Sequence, residues 1–159
     1  MKPTVYIETT IVSYLTAWPS NDPVRAGHQK STQDWWKTAS DQFELLCSEL
    51  VLMEASGGDS NASAARLEAL KGIPVLPLTQ AATELADALL AAGAIPKTAA
   101  RDAAHIGICA VNGVSFLLTW NFTHLANPWM QHRIQEVCIS RGYAPPVICS
   151  PEALLEDQP

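Results

Sequence analysis

No stretch of this sequence approaches the ~20 consecutive apolar residues of a membrane-spanning helix, so a helical membrane protein is excluded. The N-terminus, "MKPTVYIE", lacks the continuous apolar core of a secretion signal, and the expected location is the cytoplasm. Cysteine is sparse and scattered. Cys47, Cys109, Cys138 and Cys149 include no C-x-x-C pair, which argues against a zinc site or a disulfide framework and leaves reduced core thiols. There is no G-x-x-x-x-G-K-[ST] or G-x-G-x-x-G loop to cradle phosphates, and no G-x-S-x-G nucleophile elbow. Repeats, low-complexity tracts and linkers are absent as well. Positive charge is the most telling shortage: 10 Lys and Arg face 16 Asp and Glu, a net charge of −6. A protein that holds nucleic acid by basic side chains is normally basic. Either nucleic acid is not the partner, or divalent cations supply part of the positive charge at the contact.

What is present reads as one soluble domain over 1–150 with a short tail over 151–159, a surface helix followed by fraying chain. Strand-like segments fall at 4–8, 43–47, 74–78, 115–120 and 146–149, and helical patterns at 9–17, 29–39, 48–56, 61–71, 79–92, 98–112 and 128–141. Short, nearly all-apolar strands alternating with helices predict an α/β fold. The expected architecture is a three-layer parallel sheet of about five strands with helices on both faces. Residues 18–28 read as a mobile loop at the rim.

Carboxylates stand at informative places. Glu8 ends the run Val5-Tyr6-Ile7, and the pair Thr9-Thr10 reads as the cap of a helix beginning near Ile11. That hand-over from strand to helix is the edge where open parallel sheets bind ligands. Asp102, His105, Ile106 and Cys109 share one stripe of helix 98–112, and Glu54 shares a face with Leu50 and Val51. Both acids therefore point inward, where an unpaired carboxylate costs several kcal/mol. Asn121 follows its strand as Glu8 follows the first. In doubly wound topologies those strands are neighbours, which would set Asn121 beside Glu8.

Each acid can be satisfied singly: Glu54 by Arg66 or Arg101, Asp102 by the first turn of its own helix, Glu8 as a cap. Brought together they repel, and a divalent cation resolves the repulsion. Without one, trapped water or raised pKa values are expected. Carboxylates and an amide without paired Cys or clustered His suit Mg²⁺ or Mn²⁺.

Three segments, "VYIETTIVSYLTA", "FELLCSELVLMEASGGDSNASAARLEALKG" and "ARDAAHIGICAVNGVSFLLTWNFTHLAN", resemble in this order the PIN domain, and within it the VapC-type toxin ribonucleases. The resemblance covers nearly the whole chain. It implies a metal-dependent endoribonuclease, a hydrolase of RNA phosphodiesters, acting as the toxin of a type II toxin–antitoxin pair. It also implies an antitoxin partner and a homodimer. Carried over position by position, Glu8, Glu54 and Asp102 match the catalytic acids, and with Asn121 the ligands of Mg²⁺ or Mn²⁺. Thr9 and Thr119 fall where hydroxyls support the metal, and His105 matches a frequent neighbour, which its apolar stripe makes a supporting or core histidine. The family's first acid is usually Asp, and Glu8 reaches one methylene further.

RNA backbone contacts are expected from Arg25 and Lys30 (with His28 and Lys37) at one rim, and from Lys97 and Arg101 at another. Trp35-Trp36 could stack on bases, although adjacent helical residues cannot face the same way and at least one should pack inward. Two other readings stay open: a catalytically silent PIN-like binding module, and a metal-dependent phosphatase.

Overall fold

Strands form where the chain runs apolar and β-branched: β1 (Thr4–Ile7), β2 (Glu44–Ser48), β3 (Val75–Leu76), β4 (Phe116–Leu118) and β5 (Val147–Cys149). The computed structural model describes residues 1–155. All strand pairs are parallel and the order is β3-β2-β1-β4-β5, so β1 and β4 meet where the chain reverses its direction of travel across the sheet. Val5, Tyr6 and Ile7 are buried in succession rather than alternately, because both faces of the sheet are covered.

Eight helices connect and cover the strands among the described residues: α1 (Thr9–Thr16), α2 (Pro23–Gln42), α3 (Glu49–Ala55), α4 (Ser60–Leu70), α5 (Gln80–Ala91), α6 (Ala100–Val111), α7 (Pro128–Ser140) and α8 (Pro151–Leu155). None of the described helices is long and apolar enough to cross a membrane. The α/β architecture is therefore the expected one, with boundary corrections that have local causes.

The segment 18–28 is not a loop throughout. The Asp22 carboxylate accepts from the Arg25 N–H at 3.0 Å and Pro23 takes the first helical position, so α2 starts six residues before the expected 29. Glu8, not the threonine pair, caps α1. Segment 74–78 pairs only at Val75 and Leu76, since Pro74 and Pro77 have no N–H to give. Trp35 is 2% exposed and packs against Phe43 and Trp36, which makes it the inward-packing member of the pair, while Trp36 is only partly buried. The expected surface helix after Pro151 is α8, which lies against α2. The fraying end falls outside the described residues. Burial pushes the thiols of Cys47, Cys138 and Cys149 up to about 11, as inert reduced thiols require.

Helices α5 and α6 pack tightly at Gly107, where a Cβ would run into the backbone of Ala82. Neither helix can yield without dragging its layer. Gly107→Ala should therefore destabilise by about 1–3 kcal/mol, seen as a lower urea midpoint at unchanged slope. An unchanged midpoint would show that the two helices slide freely.

Candidate metal centre

The C-terminal ends of β1 and β4 lie side by side, in the register Ile7 opposite Leu118, with Glu8 N–H donating to the Leu118 carbonyl at 3.1 Å. That register sets Thr119, not Asn121, against Glu8. Glu8 is only 5% exposed. Its Oε2 accepts from the Thr10 N–H at 3.1 Å, and its Oε1 accepts from the hydroxyls of Thr10 and, at 2.6 Å, Thr119. Each hydroxyl is aimed by backbone: Thr10 Oγ1 accepts from the Trp120 N–H at 2.9 Å and Thr119 Oγ1 from the Asn121 N–H at 3.0 Å. With those lone pairs engaged, each O–H proton is left for the carboxylate. Three donors thus offset the burial of this charge.

Glu54 comes from the last turn of α3. Its Oε1 accepts from the Thr9 hydroxyl at 2.7 Å and faces His105 Nε2 at 2.7 Å. His105, on α6, is 1% exposed, and its Nδ1 lies 2.6 Å from the Tyr6 hydroxyl. Tyr6 in turn lies 2.7 Å from Ser48 Oγ, which accepts from the Val51 N–H at the start of α3. An ionised carboxylate only accepts, so Nε2 carries the proton, a neutral ring accepts at Nδ1, and Tyr6 donates to it. Burial keeps the Tyr6 phenol far above its ordinary pKa, so it stays a donor.

Burial also pushes the Glu54 carboxyl up. The His105 hydrogen bond, the Thr9 hydroxyl and the Arg101 charge outweigh that push, and its pKa ends below the ordinary value. Of the outcomes expected for the acids without a cation, a raised pKa does not arise at Glu54: the hydrogen-bond donors around it and the Arg101 charge outweigh burial. A depressed folded pKa means that ionised Glu54 stabilises the fold. The contribution is complete above the ordinary value of 4.5 and is lost as pH falls through the lower folded value. Urea unfolding of the metal-free protein from pH 7 down to pH 3 should therefore show an acid limb that Glu54→Gln flattens. Parallel pH curves for the two proteins would contradict this.

One ligand atom each from Glu8, Glu54 and His105 lie within 4.8 Å of one another. Asp102 stands outside that triple. It lines an open hollow with Glu54, Thr98, Arg101 and His124, and its Oδ2 lies 3.0 Å from His124 Nδ1. His124 is the residue that sequence reasoning missed. The available signal was Asn121 three positions before it: the Asn121 amide oxygen accepts from the N–H groups of Thr123 and His124, at 3.1 and 3.0 Å, and so forms the turn that brings His124 over Asp102. With both lone pairs of that oxygen engaged, Asn121 shapes the turn.

The basic residues divide. Arg101 lines the hollow, and Arg25 sits over the Tyr14 ring at 5.9 Å. Lys30 is instead paired with Asp34 at 3.0 Å, and Lys97 is exposed in the turn before α6. Arg66 donates to the carbonyls of Ala55 and Gly57 rather than to Glu54.

The donor set fits a hard divalent cation. Glu8 and Glu54 offer oxygen, Asp102 shares a hollow with Glu54, and every cysteine is remote or inert.

No protein-family model and no curated protein matches the sequence. Solved structures do match. A chain of the Rickettsia felis VapBC2 structure, bound to a DNA fragment from its promoter, aligns over 92% of this chain and 98% of its own, at 15% identity and a TM-score of 0.60. Mycobacterium tuberculosis VapC20, a Sarcin-Ricin loop cleaving toxin, aligns over 89% of this chain and 99% of its own, at 15% identity and a TM-score of 0.52. The chain has the fold of these proteins, as the resemblance in its sequence implies.

Proposed function

We propose that this chain is a metal-dependent endoribonuclease of the VapC kind, acting in the cytoplasm as the toxin of a toxin–antitoxin pair. The observation that carries the reading is the approach of Glu8 and Glu54 at the sheet's C-terminal edge, with Asp102 on a hollow that Glu54 also lines. Glu8, Glu54 and Asp102 would hold Mg²⁺ or Mn²⁺. Such a cation supplies Lewis-acid stabilisation of charge on the scissile phosphate and activation of a water.

The chain's own groups prepare that site. Thr10 and Thr119 fix the direction of the Glu8 carboxylate, Thr9 and His105 keep Glu54 ionised, and His124 orients Asp102. Arg101 offers a cation beside the hollow for the RNA backbone. Hard cations at the contact also reconcile a net charge of −6 with a polyanionic substrate. An antitoxin partner and a homodimer belong to the same reading.

The test is cleavage of structured RNA, a sarcin–ricin stem-loop among the substrates, with Mn²⁺ or Mg²⁺ and with EDTA. Cleavage should require metal and fall sharply in Asp102→Asn. Cleavage that survives EDTA, or none with any metal, would sink the reading. Metal-dependent turnover of a small phosphate ester without RNA cleavage would make the chain a phosphatase.

A further inference from the structure

Four rings cluster around Trp120, whose backbone N–H donates to Thr10, the residue that holds the Glu8 carboxylate. His28 stacks on Trp120 with centroids 4.1 Å apart and planes at 17°, and Tyr14 meets both at 6.0 and 5.8 Å. Phe122 stands nearly perpendicular to His28 and Trp120, at 6.0 and 5.9 Å. Three of these rings have a structural task, because they join α1, α2 and the segment after β4. Trp120 is 7% exposed and fixed at its indole N–H, which donates to Thr32 Oγ1 at 2.8 Å. Phe122 does not share that task. It is 47% exposed, on the outside of rings already held in place.

We propose that the Phe122 ring, braced by Trp120 and His28, is a stacking site for one unpaired base of the RNA strand, close to the bond that is cut. The inference rests on the nuclease reading and adds to it where the strand lies. Thr119, whose hydroxyl touches Glu8, is three residues from Phe122. Three residues reach at most ~11 Å, which is about three stacked nucleotides at ~3.4 Å each. Arg25, over the neighbouring Tyr14 ring, has no ion-pair partner among the described residues. Through Tyr14 and Trp120 that guanidinium belongs to the same cluster as Phe122, and a cation with an exposed ring complements a nucleotide strand, phosphate to the one and base to the other. Because the bracing rings are already immobilised, stacking costs little ordering.

The experiment uses the full chain and a short single-stranded oligoribonucleotide, titrated in Ca²⁺. Single abasic positions are walked along the oligonucleotide. Phe122→Leu keeps apolar bulk and removes the π face, while Phe122→Tyr keeps the face. Phe122→Leu should weaken binding about tenfold and leave the melting temperature unchanged, and Phe122→Tyr should bind like the wild type. One abasic position should weaken wild-type binding by the same factor and cost Phe122→Leu nothing further. Equal binding by wild type and Phe122→Leu, or two losses that multiply, overturns the inference. If wild-type protein cleaves RNA while Phe122→Leu is unaffected, only this inference falls. If it binds as described but cleaves nothing, the nuclease reading falls and Phe122 stands as a base-stacking site with no cut beside it. A wild type that binds no RNA sinks both.

Discussion

Glu8→Gln should lower metal-dependent RNA cleavage by at least about a hundredfold, since loss of a ligand exceeds the 10- to 100-fold losses typical of groups that only support one. Its effect on the metal-free protein is equally diagnostic. From charge alone, removing one of two adjacent acids should hold stability constant or raise it. The hydrogen bonds reverse that expectation. A Gln amide must point its NH₂ either at the Thr10 N–H or at two hydroxyls already engaged by the Trp120 and Asn121 N–H groups. A cost of about 1–2 kcal/mol follows, the size of a lost helix cap with a donor left unpaired.

Mn²⁺ separates the two roles. The wild type should gain melting temperature with Mn²⁺, as a ligand that binds only the folded state requires, and Glu8→Gln should gain little. Glu8→Asp retracts the carboxylate by about 1.5 Å, one carbon–carbon bond, and strips away the Thr119 hydroxyl. It too should bind Mn²⁺ more weakly, although Asp is the residue usual at this position in the family the sequence resembles. A Glu8→Gln protein that cleaves RNA and responds to Mn²⁺ like the wild type would leave Glu8 as a cap alone.

His105→Ala should give the largest loss of stability at the site, about 3 kcal/mol, from a cavity plus unpaired buried partners. For a chain of this length that lowers the melting temperature by roughly 6–12 °C. The ring touches Glu54 on one side and Tyr6 on the other, so its removal strands both and releases Glu54. Tyr6→Phe is the milder probe, with a cost of about 1–2 kcal/mol. The two substitutions should fall short of additivity, because each removes the same hydrogen bond. A His105→Ala protein melting within about 1 °C of the wild type would break the Ser48–Tyr6–His105–Glu54 chain as drawn.

Much was legible from local pattern. Apolar runs separated by capped helices dictate a parallel α/β sheet, and the switch-point rule makes β1 and β4 neighbours. Inward-facing stripes mark Glu54 and Asp102 as acids needing partners. These signals act within a few residues of chain, where spacing alone decides which way a side chain points. The start of α2 is legible too, in the cap-and-proline pair Asp22-Pro23.

Only the tertiary structure decided who meets whom. Glu8 and Thr119 are 111 positions apart, and the one-residue choice between Thr119 and Asn121 depends on strand register. The direction of the Glu54 shift depends on His105 and Arg101 arriving from another helix. His124 reaches Asp102 through a turn, and the aromatic face beside the site is built by Trp120, His28 and Phe122 rather than by the more conspicuous Trp35-Trp36. In each case the deciding energy is a contact between distant segments, which exists only once the sheet has set their separation.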